Sequence, residues 1–371
     1  MSNWTTAKLG DVSTIITGPF GSQLHQSDYV SEGIPIVMPQ NIADRKINYD
    51  SINHISEEDA QRLKRYRTQT NDILYARRGD VEKHAFITEK ESGVYCGTGC
   101  LRVRITSENI DPLFLSFFLN GEETKRWLVT HAVGSNMPNL NTDILANVPI
   151  SYPSLDMQKK IANTLNFFDE KILVNRNIND NLSAMAYDIY MHSFYGRKPN
   201  GKLDNILIEN EKSKVQVGEA KDSDGDYPFF TSGEAILRWN DDFVDGRNCF
   251  LNTGGNADVK FYVGKAAYST DTWCISANQN LADYMYLFLM SIKPELNKKF
   301  FQGTGLKHLQ KPLLRDRPIY IPATDEISSF NSQVQHWFDI IGENTRENQH
   351  LTALKDWLLP MLMNGQATIC E

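Results

Sequence analysis

Residues whose types could support catalysis are present, but they do not form a constellation typical of an enzyme. Residues 111–114 (Asp-Pro-Leu-Phe) differ at one position from the Asp-Pro-Pro-Phe pattern of amino-methyltransferases, yet no Phe-x-Gly-x-Gly cofactor loop accompanies them, and Asp111 also suits a helix N-cap. Residues 219–221 (Glu-Ala-Lys) resemble part of a nuclease signature but lack its preceding Pro-Asp. Cys96 and Cys100 have no second His or Cys pair at zinc spacing. We therefore expect no catalytic residue and no metal site in this chain.

Length and composition indicate a globular protein of two or three domains. The chain has 371 residues, of which 41% are hydrophobic and 23% are charged. The longest apolar stretches, 114–119 and 284–292, are far shorter than the roughly 20 residues of a membrane helix. The N-terminus has no secretory signal pattern, and the odd count of five cysteines favours a reducing cytoplasm over a disulfide scaffold.

The net charge of −8, taken alone, argues against a nucleic-acid partner. Its distribution weakens this objection, because residues 323–371 carry −5 and the rest of the chain carries only −3. A local basic face outside the last segment is therefore compatible with the composition.

The sequence repeats itself once. Residues 134–153 match residues 303–322 at a constant offset of 169, and residues 181–185 match 350–354 at the same offset. Looser matches, at offsets of 194 and 176, join 8–12 to 202–206 and 73–77 to 249–253. Because the offset falls along the chain, the first copy is longer by about 25 residues, mostly within 42–70.

Each copy is predicted to consist of a mixed α/β globular part followed by a long helix. Strands are predicted within 33–38, 101–105 and 257–263, and helices within 57–66, 112–121 and 281–292. The fold class is therefore α+β, with two pseudo-repeated domains separated by two long helices. The predicted domains are 1–153, 154–199, 200–322 and 323–371.

The two long helices carry a coiled-coil pattern over four heptads. The seam positions are 161, 165, 168, 172, 175, 179, 182, 186 and 189 in the first copy and 330, 334, 337, 341, 344, 348, 351, 355 and 358 in the second. Lys355 interrupts the second seam. Two repeats related by a pseudo-two-fold axis would place the helices antiparallel. The alternative is that the helices do not pair and that each is a separate amphipathic helix on its own domain.

Asparagines at matching seam positions predict the register of an antiparallel pair. Asn175 should meet Asn348, and Asn179 should meet Asn344. Buried Asn pairs weaken a seam but fix its register, because a slip would leave amides unpaired against apolar side chains.

With this layout established, the chain resembles the specificity subunit of type I restriction–modification systems. The resemblance covers nearly the whole chain and rests on the two-copy layout and on residues 18–24, 71–79, 134–140 and 227–233. Each of these stretches alone is weak; their order, twice followed by a helix, is specific.

The resemblance implies two target-recognition domains that each bind one half of a split DNA sequence. It also implies that the helices dock two methyltransferase subunits, through which restriction and translocation subunits join, and that this chain has no catalytic centre. S-adenosylmethionine, ATP and Mg²⁺ would then be bound by partner subunits. A seam of about 43 Å suits two half-sites separated by about one duplex turn of 34–36 Å.

Candidate DNA contacts in the first domain lie in a basic cluster and in loops. The cluster comprises Arg62, Lys64, Arg65, Arg67, Arg77, Arg78 and Lys83, of which Arg65, Arg67, Arg77 and Arg78 are the selected contacts. Its alternative role is a solvated helix face. Ser22 and Gln23 lie in a glycine-containing loop that could approach DNA or form a plain tight turn, and Ser135 and Asn136 precede the first long helix.

The second domain offers counterparts in its own loops. They are Thr231, Ser232, Asn252, Asn256, Thr304, Lys307 and His308. Their polar groups could bind adenine edges or phosphates, or could simply stabilise turns. No Gly-Lys-Ser/Thr follows the glycines, so an ATP loop is not expected.

Apolar side chains outside the seam predict docking of partner subunits, or else packing onto the chain's own domains. They are Phe167, Leu173, Tyr187, Tyr190, Phe194, Trp357, Leu359 and Leu362. Two other functions compete with DNA recognition. A stand-alone modification enzyme would transfer methyl groups unaided, and a two-lobed protein–protein adaptor would lack salt-sensitive duplex binding.

Overall fold

The computed structural model describes residues 4–134, 137–278 and 280–369, which separate into two compact units. The first unit is formed by Met1–Asp169 and Ala353–Glu371, and the second by Glu170–Thr352. Each unit therefore contains a segment of both long helices.

The strands of the first unit are short, are separated by loops and form small sheets. They are β1 (Thr5–Lys8), β2 (Ser13–Thr17), β3 (Tyr29–Val30), β4 (Ile34–Val37), β5 (Asn53–Ile55), β6 (Ile73–Ala76), β7 (His84–Phe86), β8 (Tyr95–Cys96), β9 (Cys100–Ile105) and β10 (Pro149–Tyr152). The main antiparallel sheet has the order β2-β9-β6-β7. A second sheet has the order β3-β5-β4-β8, in which β4 and β8 are parallel, and β1 pairs with β10.

Most helices of the first unit are short, and polar side chains cap several of them. The helices are α1 (Leu9–Val12), α2 (Glu57–Arg62), α3 (Pro112–Leu119), α4 (Glu122–His131), α5 (Thr142–Ala146) and the first part of α6 (Leu155–Ser193). Asp111 accepts a 2.8 Å hydrogen bond from the backbone of Phe114, and Ser56 caps α2 in the same way. The helix predicted over 57–66 is shorter than expected, because α2 ends at Arg62 and a 3₁₀ turn follows over Lys64–Tyr66.

The second unit repeats this strand order. Its strands are β11 (Gly201–Lys202), β12 (Leu207–Glu209), β13 (Tyr227–Phe230), β14 (Ile236–Trp239), β15 (Arg247–Asn252), β16 (Val259–Val263), β17 (Ala267–Tyr268), β18 (Thr272–Ala277), β19 (Phe301–Gln302), β20 (His308–Leu309) and β21 (Pro318–Ile319). The sheet β12-β18-β15-β16 corresponds to β2-β9-β6-β7, and the parallel pair β13–β17 corresponds to β4–β8. The duplication seen in the sequence is thus a duplication of topology.

Helices of the second unit follow the same plan. They are α7 (Val217–Ala220), α8 (Ala282–Ser291), α9 (Lys293–Glu295), α10 (Lys311–Arg315) and α11 (Thr324–Met363), with a π-helical turn over Leu296–Phe300. Bulky side chains of α8 pack against α6 and α11 in one buried cluster, which contains Tyr284 and Phe288 together with Tyr190 and Phe330. In the first unit α3 has this role, since Phe114 and Phe117 are buried with residues of α6 and α11.

The long helices lie antiparallel within the second unit, in the register that the asparagines predict. The Asn175 amide donates to Asn348 Oδ1 at 3.0 Å, and the Asn344 amide donates to Asn179 Oδ1 at 2.8 Å. Asn175 is almost completely buried and also donates to Glu347 at 2.6 Å. The amides are therefore satisfied inside the seam.

In the first unit, the lysine that interrupts the seam has a partner. Lys355 Nζ donates to Asp169 Oδ1 at 2.7 Å, while Ile161 and Leu165 are buried in one cluster with Leu362. The seam therefore accommodates a charge because an opposite charge faces it.

Part of the predicted partner-docking set belongs to the core. Tyr190 and Phe194 are buried in the second unit, and Leu362 is buried in the first, so their assignment to a docking face was wrong. They pack onto the chain's own domains, which is the alternative that the sequence left open. Phe167, Leu173 and Trp357 remain exposed.

The paired amides should be coupled energetically. We expect Asn175→Ala and Asn348→Ala to show a coupling free energy of about 1 kcal/mol in a double-mutant cycle, because each single change leaves the other amide without its partner. Urea unfolding of the full chain measures it. Asn331, which instead donates to the backbone of Asn280, provides the control, and Asn175→Ala with Asn331→Ala should be additive. Equal coupling in both cycles would contradict the pairing.

Candidate nucleic-acid interface

Two loops that the sequence singled out separately meet in the first unit. The loop after β6 and the stretch before α5 are joined by backbone hydrogen bonds: Leu140 N donates to Arg77 O at 2.8 Å, and Gly79 N donates to Pro138 O at 3.2 Å. Arg78 and Asn139 pair between these bonds. The loop pair therefore presents side chains from two distant parts of the sequence on one backbone platform.

The same loop pair is built in the second unit. Leu309 N donates to Thr253 O at 2.9 Å, Gly255 N donates to Lys307 O at 2.9 Å, and Gly254 pairs with His308. Thr304, Lys307 and His308 are exposed. Ser135 and Asn136, their predicted counterparts in the first unit, lie outside the described residues.

The predicted basic cluster sorts into paired and unpaired cations. Arg62 forms an ion pair with Asp59, and Lys83 pairs with Asp80 at 2.5 Å. Among the described residues, no carboxylate lies within ion-pair distance of the members that are left. These are Lys64, Arg65, Arg67 and Arg78, which are exposed, and Arg77, which is half-buried. The unpaired members are thus the ones available to an external anion.

The backbones that carry the unpaired arginines are held at different points in and just before β9. Arg77 N donates to Gly99 O at 2.8 Å, just before β9 begins. The carbonyls of Arg65 and Arg67 instead accept hydrogen bonds from Arg102, in the interior of β9, at 2.9 and 3.0 Å. Both segments of the predicted cluster are therefore anchored within residues 99–102, at and just before the start of this strand.

The loop over 18–24 is held close to the main sheet. Gly18 N donates to Cys100 O at 2.9 Å, and a Cβ at Gly18 would lie 2.1 Å from Gly97 O, so a side chain does not fit there. Gln23 Oε1 accepts a 2.8 Å hydrogen bond from Tyr66 Oη. This contact orients the Gln23 side chain but occupies its carbonyl oxygen, which a bidentate contact to adenine would use. Ser22 is exposed beside it.

Two of the residues proposed in the second unit hold their own loops. Asn252 is buried, donates to Gly254 O at 2.6 Å and to Asn256 O, and accepts from Asp258 N at 2.7 Å. Thr231 is buried and donates to Ala235 O at 2.8 Å. For these side chains the geometry supports turn stabilisation, which the sequence left open as an alternative to DNA contact. Asn256 is exposed, and Ser232 is half-buried.

Sequence reasoning missed two residues at these loops. Asn139 pairs with Arg78, and its buried Oδ1 has no hydrogen-bond partner among the residues that the structure describes. The repeat offset could have found it, because position 139 corresponds to His308. Lys260 Nζ donates to Thr231 O at 3.0 Å and so holds that loop against β16. No pattern in the sequence indicates this contact.

Cys96 and His84 have side chains capable of nucleophilic or acid–base chemistry, but both are completely buried. Burial raises the pKa of the Cys96 thiol to about 12 and lowers the pKa of His84 to about 3. Both groups are therefore neutral at pH 7. Within residues 4–134, 137–278 and 280–369, no helix is long and apolar enough to cross a membrane, and no cluster of His, Cys, Asp and Glu could hold a metal ion.

Comparison with known proteins identifies the family. Residues 1–184 and 201–351 both match the family described as "Type I restriction modification DNA specificity domain". The chain is 20% identical to the type I restriction enzyme MjaIX specificity subunit of Methanocaldococcus jannaschii, covering 100% of this chain and 94% of that one. It is 21% identical to the type I restriction enzyme HindI specificity subunit of Haemophilus influenzae, over 54% of this chain and 42% of that one.

A solved structure has the same fold. The crystal structure of the type I restriction–modification system S subunit from M. genitalium superposes with a TM-score of 0.62 at 15% identity, covering 98% of this chain and 96% of that chain. Because the family match spans most of the chain in two copies, the protein belongs to the type I restriction–modification DNA specificity family.

Proposed function

We propose that this chain is the DNA sequence-specificity subunit of a type I restriction–modification complex, in which each unit recognises one half of a bipartite duplex site. One observation carries this proposal: the same backbone platform is built twice but presents different side chains. Arg77, Arg78 and Asn139 occupy it in the first unit, and Thr253, Lys307 and His308 in the second. Different side chains on equivalent platforms suit two different half-sites.

The chain acts in this proposal without chemistry of its own. Two methyltransferase subunits supply adenine methylation with S-adenosylmethionine, and restriction subunits that join through them supply ATP- and Mg²⁺-dependent translocation and cleavage, in the cytoplasm of a prokaryotic cell. The buried, neutral state of Cys96 and His84 is consistent with a recognition role.

Methyltransferase subunits dock on the exposed apolar side chains of the long helices. Phe167 and Trp357 are both 62% exposed on helix segments of the first unit, and Leu173 and Val174 are exposed on α6 in the second. Apolar groups this large on both helices are typical of a protein–protein interface.

Mapping of modified adenines tests the proposed function. We expect a cell that expresses this chain with its methyltransferase subunits to methylate one split motif with a fixed number of unspecified base pairs between its halves. Single-molecule sequencing of the genome measures it, with a strain lacking this chain as the control. Methylation without this chain, or by this chain alone, would refute it.

The unpaired arginines should contribute to duplex affinity. We expect Arg65→Gln, Arg67→Gln and Arg78→Gln each to weaken DNA binding by the assembled complex and to lower the slope of log K against log salt by about 1, because each loses a phosphate contact. Titrations at several salt concentrations measure it. Lys83→Gln is the matched control, because Lys83 already pairs with Asp80. An equal loss in the control would argue against a phosphate contact.

The docking surface can be tested separately. We expect Phe167→Glu and Trp357→Glu to abolish co-purification of the methyltransferase subunits, because a buried unpaired carboxylate opposes association, while the thermal midpoint of the isolated chain stays unchanged. Leu313→Glu, at an exposed leucine on α10, is the control. Retained co-purification in both variants would place the docking surface elsewhere.

A further inference from the structure

An ion-pair network joins the first recognition domain to the long helices. Arg45 Nη1 lies 2.7 Å from Asp169 Oδ2 on α6, and Asp169 Oδ1 accepts from Lys355 Nζ on α11 at 2.7 Å. Arg45 Nε also donates to Ser116 Oγ on α3 at 3.0 Å, and the guanidinium lies 3.4 Å from the centre of the Phe117 ring. One side chain thus connects the domain, α3 and both long helices within this unit.

The backbone that carries Arg45 is held in an unfavourable conformation. Its φ is +56°, a region that non-glycine residues rarely adopt. Backbone bonds from Arg45 N to His84 O (2.9 Å) and from Phe86 N to Arg45 O (3.3 Å) maintain it against β7. Strain of this kind persists where the surrounding structure fixes a residue for a particular contact.

A second network joins the other recognition domain to α11. Arg247, the first residue of β15, donates from Nη1 to both oxygens of Asp283 on α8, at 2.7 and 2.9 Å. Its Nη2 forms an ion pair with Asp339 on α11 and donates to Gln335 O at 3.2 Å. Nearby, α11 approaches the strand β16 so closely that a Cβ at Gly342 would lie 2.7 Å from Val263 O.

The two arginines do not occupy equivalent positions. Arg45 lies in the connection between β4 and β5, whereas Arg247 is the first residue of β15, which corresponds to β6. The same contact, from arginine to a carboxylate on a long helix, is therefore made from different places and was not simply copied by the duplication. That independence points to a shared purpose.

The energetics of buried ion pairs indicate that these contacts serve to position the domains rather than to stabilise the fold. Buried ion pairs contribute little net stability, because desolvation offsets attraction, but the planar guanidinium fixes direction through its paired hydrogen bonds. The Asp283 side chain is completely buried, whereas the Asp339 side chain is 46% exposed. The ion pair of Arg247 with Asp339 on α11 therefore contributes less stability than its ion pair with Asp283.

We propose that Arg45 and Arg247 are positioning residues that fix the orientation of each recognition domain on its long-helix segment and thereby restrict the half-site spacing that the complex accepts. This inference rests on the proposed function. It assigns spacing discrimination to the junctions between domain and helix as well as to helix length.

Aspartate-to-asparagine variants on the helices test it, since they keep side-chain shape and remove charge. We expect Asp169→Asn and Asp339→Asn, expressed with the methyltransferase subunits, to modify the wild-type half-sequences at spacings one base pair shorter or longer. The rise in modification at those sites should be about tenfold, equivalent to about 1.4 kcal/mol of lost discrimination. Sequencing of modified adenines counts both spacings in one sample.

Controls separate positioning from general destabilisation. Asp80→Asn and Asp204→Asn remove ion pairs with Lys83 and Arg315 that lie wholly within a recognition domain, and they should keep a single spacing. Thermal midpoints of all variants are measured alongside. The inference would be overturned if the Asp169→Asn and Asp339→Asn variants modified sites of the wild-type spacing only, at a lower fraction of those sites. A wild-type strain without any split motif would instead overturn the proposed function itself.

Discussion

The requirement that buried amides find partners governs the helix pair on which both recognition domains are built. A slip of one heptad would place Asn175 opposite Ile341 or Lys355 instead of Asn348, and an unpaired buried amide costs about 1–3 kcal/mol. The same slip would separate Lys355 from Asp169. Because α3 and α8 pack onto fixed positions of these helices, the register also determines where each domain attaches within its unit.

Backbone hydrogen bonds, and not side chains, hold the backbone platform together in each unit, which explains how the two copies can differ in sequence there. The bonds from Leu140 N to Arg77 O and from Leu309 N to Thr253 O need no particular side chain. Side chains on the platform are therefore free to change while the loops keep their positions. Duplication followed by divergence would then yield a split recognition site with unlike halves.

Sequence periodicity predicted the parts of the structure that repeat, whereas the remaining contacts depend on local backbone geometry that the sequence pattern does not show. The heptads and the offset of 169 were sufficient for the long helices and the asparagine pairs. They could not show that Asn252 and Thr231 bond to their own loops, because that depends on how each chain segment turns. The contact of Arg45 with Asp169 joins residues 124 positions apart and leaves no local pattern.

Pairing, rather than net charge, distinguishes the structural cations from those available to DNA. Arg45, Arg104 and Arg247 are ion-paired and at least partly buried, and each stabilises a contact inside its own unit. Arg65 and Arg78 are exposed, and in the described part of the chain no carboxylate lies within ion-pair distance of them. A chain with a net charge of −8 can therefore present positive charge locally, because its acidic residues neutralise the cations that fold it and leave others unpaired.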